Sequence, residues 1–120
     1  MTLNEYQEQT RETAIYPKGS FVGLLYLGLG LASEAGEVAG VLKKTIRDVD
    51  STMNTELEGR VLDEIGDTLW YISELCTELG TTLNAVALHN LTKLKARQVT
   101  GTLKGFDDNL RSFNEHRRDE

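Results

Sequence analysis

Proline occurs once in this 120-residue chain, at Pro17, and on either side of it apolar residues recur at alternating steps of three and four over long stretches. That recurrence is the mark of helices with one apolar face, and sustained period-two alternation bounded by turn residues is missing. The pattern predicts an all-α domain of four main helices, a four-helix bundle-like fold. A chain of 13.4 kDa fits one such domain. Nineteen acidic against thirteen basic residues leave a net charge of −6, which repels a phosphate backbone and argues against a nucleic-acid partner. The single cysteine, Cys76, cannot close an internal disulfide and suits a reducing compartment. The amino end from Met1 to Glu12 is too polar for a signal peptide. The most apolar run, Phe21 to Ala32, is interrupted by Gly23, Gly28 and Gly30 and is shorter than the roughly 20 residues of a membrane span. A cytoplasmic protein with no membrane partner is the expectation.

The first helix should start at Thr2, with Glu5 completing a capping box, and run to just before the turn Pro17-Lys18-Gly19-Ser20. The second runs from Phe21 to Arg47, with Leu24, Leu27, Leu31, Glu34, Val38 and Val41 along its seam. Residues 48–55 read as a connecting loop, and Thr55-Glu56-Leu57-Glu58 as a capping box that opens helix three. Helix three carries Leu62, Ile65, Leu69, Ile72, Cys76 and Leu79 on one stripe, an apolar surface expected to be largely buried. Gly80 is placed to end it in the left-handed conformation. Thr81 or Thr82 can cap helix four, which reads to Gln98. Residues 1–98 thus form the helical domain. Residues 99–120 form a tail docked on that domain or on a neighbouring subunit, with one short helix after Asp107.

Two acidic pairs stand at i, i+3 spacing inside the apolar helices, Glu34 with Glu37 and Glu64 with Asp67. Spacing alone is weak, because nineteen acids give about three such pairs by chance, and three are present, counting Glu5 with Glu8. Context carries more weight, since unpaired carboxylates gathered in one interior cost several kcal/mol each and repel one another. Either something cationic sits between them, or Glu34 and Glu64 lie at the rim of the stripe and reach solvent, Lys43, Lys44 or Arg60. Periodicity does not choose between these arrangements. If the acids converge, an all-oxygen donor set suits Mg²⁺, with Mn²⁺ as a substitute, and Mg²⁺ held by carboxylates usually serves a phosphate substrate.

Helix four offers cations for such a substrate. Asn90, Lys93 and Arg97 are three and four apart and share one face, presenting an amide, a point charge and a planar fork. As single residues these cations also read as surface charges complementing the helix dipole. Trp70, one turn beyond Asp67, reads either as a core tryptophan or as a surface on which a nucleobase stacks. Tyr71 reads as core, His89 as a partly exposed helix residue and Cys76 as packing.

Together, Leu31-Ala32-Ser33-Glu34-Ala35-Gly36-Glu37-Val38 and Leu62-Asp63-Glu64-Ile65-Gly66-Asp67-Thr68-Leu69-Trp70-Tyr71 resemble the E-x-x-E … E-x-x-D signature of the MazG-like, all-α nucleoside triphosphate pyrophosphohydrolases. Asn90-Leu91-Thr92-Lys93-Leu94-Lys95-Ala96-Arg97 is similar to the family's N-x-x-K-x-x-x-R helix, so the resemblance spans residues 24–98. One departure is that many relatives follow the arginine with an aromatic residue and proline, where this chain has Gln98-Val99-Thr100-Gly101. The resemblance implies that Glu34, Glu37, Glu64 and Asp67 hold Mg²⁺ and that Lys93 and Arg97 touch the phosphates. It also implies cleavage of a (d)NTP to a (d)NMP and pyrophosphate, in a homodimer or dimer of dimers whose subunits complete one another's sites.

In-line displacement at the α phosphorus fits these parts, with Glu34 or Glu37 as the base and Lys93 and Arg97 neutralising the leaving pyrophosphate. Small stand-alone relatives often act on deoxynucleotides, which points to dGTP, although no spacing here reports purine against pyrimidine. A phosphoribosyl or non-standard nucleotide is the alternative substrate, and a catalytically silent helical assembly protein the alternative class.

Overall fold

The computed structural model describes residues 1–48 and 52–102. Among these, every regular element is helical: α1 (Leu3–Thr10), a single 3-10 turn (Arg11–Thr13), α2 (Phe21–Asp48), α3 (Thr55–Glu78) and α4 (Leu83–Val99). The all-α expectation with four main helices is met. The expected short helix after Asp107 lies outside the described residues.

Side-chain chemistry sets the helix ends. At the start of α1, Thr2 Oγ1 accepts from the Glu5 N–H at 3.1 Å while the Glu5 carboxylate accepts from the Thr2 N–H at 2.6 Å, a complete capping box. The expected continuation of α1 to Pro17 is not found. The helix gives way after Thr10, whose hydroxyl bonds to Ser73 at 2.9 Å and Glu74 at 2.7 Å on α3, and Ala14 is already extended at φ −79°, ψ 107°. Leaving the helix here lets both Arg11 and Tyr16 reach the same glutamate.

Ser20 opens α2, its Oγ accepting from the Gly23 N–H at 3.0 Å and donating to Pro17 O at 2.7 Å. The cap of α3 also differs from expectation. It is Asn54, extended at φ −126°, ψ 170°, whose side chain accepts from the Leu57 N–H at 2.9 Å, so Thr55 becomes the first helical residue rather than the cap. Gly80, at φ 68°, ends α3 as expected, with the Thr81 N–H donating to Cys76 O at 2.9 Å and the Gly80 N–H to Thr77 O at 3.1 Å. Thr82 caps α4 by accepting from the Ala85 N–H at 3.1 Å. Gly101, at φ 68°, closes α4 in the same manner.

Two compact units divide the chain, the first from Met1 to Val86 and the second beginning at Ala87. In the first, α2 packs along α3 and α1 lies on α3. Gln7 locks α1 down, its amide N–H₂ donating to Thr77 Oγ1 and Thr81 O and its carbonyl accepting from the Leu83 N–H at 2.7 Å. The core is small: Ala14, Tyr16 and Leu27, with Trp70, Tyr71 and Leu75 packed against it.

The apolar stripe of α3 is not buried as expected. Leu62, Ile65 and Leu69 are 58%, 47% and 36% exposed in the single chain, and Phe21, Val22, Leu25 and Leu29 of α2 are exposed as well. At 28 residues α2 has the expected extent to within one residue, and it is long and apolar enough to cross a membrane, although its most apolar run Phe21–Ala32 is shorter than a span. A span would place Glu34 in mid-bilayer at a cost of roughly 2.5–3.5 kcal/mol. In the fold, α2 instead packs along α3. In the second unit the described part of α4 leaves Leu88 and Leu91 exposed and Leu94 half-buried.

Candidate active site

The seam of α2 and the middle of α3 bring three of the four singled-out acids together. Glu34, Glu64 and Asp67 each place one carboxylate oxygen within 4.8 Å of the others. Glu34 and Glu64 are half-buried and Asp67 is exposed. Helical spacing accounts for the pair on α3, since Glu64 and Asp67 are one turn apart on one face. Glu37, one turn along α2 from Glu34, is exposed and lies outside this group.

The electrostatics are those of anions crowded together. Burial first, and then the charges of Asp67, Glu64 and Glu37, push the Glu34 carboxyl above its ordinary value. The three acids converge, as the first arrangement requires, and no lysine or arginine among the described residues forms an ion pair with Glu34, Glu64 or Asp67, so the pairing with Lys43, Lys44 or Arg60 is not found. Such a donor set fits a hard divalent cation, whose oxygen ligands at roughly 2.0–2.6 Å span about 4–5 Å across the ion. Glu34, Glu64 and Asp67 would hold it.

Aromatic side chains border the acids. Tyr6 of α1 is raised from its ordinary value by burial and then by the charge of Asp67. Tyr71 is pushed up to about 12 by burial, by its hydrogen bond with Tyr26, and by the charges of Tyr26, Glu34 and Asp67. Trp70 is half-buried, stands edge-on to Tyr71 at 5.0 Å between ring centroids, and donates its indole N–H to Thr13 Oγ1 at 2.8 Å. The tryptophan therefore has a packing role, and it is also held in a fixed plane near the acids. Asn90, Lys93 and Arg97 are all exposed on α4, in the second unit. His89 is likewise exposed, and Cys76 is buried, its thiol raised by burial.

A second carboxylate group was not foreseen. Glu74, fully buried on α3, accepts from Thr10 Oγ1, from Arg11 Nη1 at 2.8 Å and from Tyr16 OH at 2.7 Å. Glu78, one turn on, accepts from Tyr16 OH at 2.9 Å, from Arg11 at 3.3 Å and from the Gly19 N–H at 2.6 Å. The Gly19 N–H, the Tyr16 hydroxyl and Arg11 hold the Glu78 carboxyl below its ordinary value against the opposing effect of burial. The signal in the sequence was an acid inside the apolar segment 69–79. Nearby, a cleft of about 250 Å³ is lined by Asn4, Gln7, Glu8, Arg11, Thr77 and Thr82, and none of the three clustered acids borders it.

Comparison with known proteins adds three findings. A family model described as the MazG nucleotide pyrophosphohydrolase domain matches residues 24–101, the stretch that contains both acidic pairs and the described face of α4. The chain is 38% identical over 113 residues to the Gene 37 protein of Mycobacterium phage L5, covering 91% of this chain and 99% of the phage protein. No solved structure matches it.

Proposed function

The chain belongs to the MazG nucleotide pyrophosphohydrolase family, and on that premise we propose that it is a Mg²⁺-dependent enzyme of the cytoplasm that hydrolyses a (d)NTP, dGTP first among them, to the (d)NMP and pyrophosphate. The observation that carries this reading is the convergence of Glu34, Glu64 and Asp67 with no lysine or arginine among the described residues paired to them. A bound Mg²⁺ or Mn²⁺ supplies Lewis acidity toward the phosphate oxygens and makes a nearby water more acidic.

The chain's own residues divide the remaining work. Glu37 stands outside the three-oxygen group and keeps a carboxylate for the proton of the attacking water, with Glu34 as the other candidate base. The water oxygen bonds to the α phosphorus in line with the bridging oxygen, whose bond breaks and whose electron pair leaves with pyrophosphate. Lys93 and Arg97 neutralise the charge that builds there, and Asn90 donates its amide to a phosphate oxygen. Trp70, held by Thr13, offers a ring face to the base.

The exposed apolar residues Phe21, Val22, Leu25, Leu29, Leu62, Ile65 and Leu69 support a homodimer or a dimer of dimers, since a second copy would remove them from water. A catalytically silent assembly protein would use that same face and leave the three acids without a role. The deciding assay measures pyrophosphate release from a panel of ribo- and deoxyribonucleoside triphosphates with and without Mg²⁺. Metal-dependent release that favours dGTP is the expected result. Release from a modified or phosphoribosyl nucleotide alone would reassign the substrate, and no release from any nucleotide would leave the assembly reading.

A further inference from the structure

Gly30 lies one turn before Glu34 on α2, and Tyr71 one turn after Asp67 on α3, so the helical faces that carry the clustered acids also carry this pair. The two are pressed together. A Cβ built at Gly30 would fall 2.6 Å from Cδ1 of Tyr71 and closer still to Cε1 and Cζ, whereas at Gly28 and Gly36 of the same helix it would meet nothing within 4 Å. Glycine inside a helix costs about 1 kcal/mol relative to alanine. At position 30 the backbone is not left-handed, so the reason for glycine is the ring.

The ring has little freedom to move aside. Trp70 stands edge-on to it at 5.0 Å, and Tyr26, one turn before Gly30, lies with its ring centroid 6.3 Å from that of Tyr71. Tyr71 is thus a spacer wedged between the two helices one turn from the acids, and Gly30 is the notch that receives it.

We propose that the Gly30–Tyr71 contact is a positioning device that fixes the separation of α2 and α3 at the acidic group, and through it the spread of the Glu34, Glu64 and Asp67 oxygens toward a divalent cation. This rests on the metal reading given above. A methyl group at position 30 must retreat to ordinary carbon contact at roughly 3.5–4.0 Å, which moves helix or ring by on the order of 1 Å. Mg²⁺ demands near-ideal geometry at about 2.0–2.1 Å, while Ca²⁺ accepts flexible sites at about 2.3–2.6 Å. A widened site therefore loses Mg²⁺ more than Ca²⁺.

The experiment is calorimetric titration of the full chain with Mg²⁺ and, separately, Ca²⁺, without nucleotide, for the wild type and the variants Gly28→Ala, Gly30→Ala, Tyr71→Leu and Gly30→Ala/Tyr71→Leu. Gly28→Ala should match the wild type. Gly30→Ala should lose about tenfold or more in Mg²⁺ affinity, as do other groups that orient metal ligands, and lose less for Ca²⁺. The double variant, with the ring gone, should bind Mg²⁺ as Tyr71→Leu does. Wild-type Mg²⁺ affinity in Gly30→Ala overturns the inference, as does a double variant that does not match Tyr71→Leu. If Gly30→Ala does not fold, the double variant decides by its match or mismatch to Tyr71→Leu. A wild type that takes up neither ion removes the metal reading itself, whereas a wild type that binds beside an unaffected Gly30→Ala removes only the spacing.

Discussion

Helix α3 presents two pairs of carboxylates, Glu64 with Asp67 and Glu74 with Glu78, about 15 Å apart along its axis. The chain treats them in opposite ways. Around Glu74 and Glu78 it gathers its own donors, Thr10, Arg11, Tyr16 and the Gly19 N–H, so that even a fully buried carboxylate is satisfied. Around Glu64 and Asp67 it gathers a further acid, Glu34, and none of its described lysines or arginines pairs with the three. Acids that the fold neutralises are part of its architecture, here the fastening of residues 10–20 onto α3. Acids that it leaves crowded are held in place by the rest of the packing, and on the proposed function they are the ones that would take a cation from outside.

The sharpest way to break the comparison is to exchange the expected consequences. Asp67→Ala should lower pyrophosphate release by about 10³-fold, roughly 4 kcal/mol in the barrier. Without metal the melting temperature should stay level or rise, since one of several repelling charges is gone. An Asp67→Ala protein that turns over normally, or that melts early, would place Asp67 with the architectural acids. Glu74→Ala should do the reverse. It leaves Arg11, Thr10 and Tyr16 without their shared acceptor and opens space in the core, and removing one partner of a buried ion pair costs about 3 kcal/mol or more. Denaturant unfolding should show that loss, while activity per folded molecule persists. A cost below about 1 kcal/mol, the scale of an exposed ion pair, would mean that the network holds nothing.

How much of this was legible in the sequence depended on the range of the interaction. Features decided within one turn of chain read well: the Thr2–Glu5 capping box, the left-handed Gly80, the helical spacing of Glu64 and Asp67. Features decided by competition between neighbours read less well, as where Asn54, a stronger N-cap residue than threonine, took the cap in place of Thr55. Partners distant in sequence did not read at all. Arg11 and Tyr16 meet Glu74 across some sixty residues, and only that meeting explains why α1 stops at Thr10. Nor does periodicity distinguish an apolar stripe buried within one chain from one that a chain leaves open, which is why the exposure of Leu62 and Ile65 differs from expectation.

The smallest effect separates the two carboxylate groups by the sign of their response to acid. Glu78 is held below the ordinary carboxylate range, first by the Gly19 N–H and then by Tyr16 and Arg11, so the folded protein takes up a proton there less readily than the unfolded chain does. Its contribution is complete above the unfolded value of about 4.3 and is lost as pH falls through the lower folded value. Glu34 is shifted the other way, so protonating it relieves repulsion. In Glu78→Gln the amide cannot titrate. The variant should be less stable than the wild type at pH 6 by about 1 kcal/mol, the worth of one such hydrogen bond, and the gap should narrow toward pH 3. Melting curves of both proteins across that range measure it. A gap that stays constant with pH would mean that the charge of Glu78 is not what ties the Gly19 turn to α3.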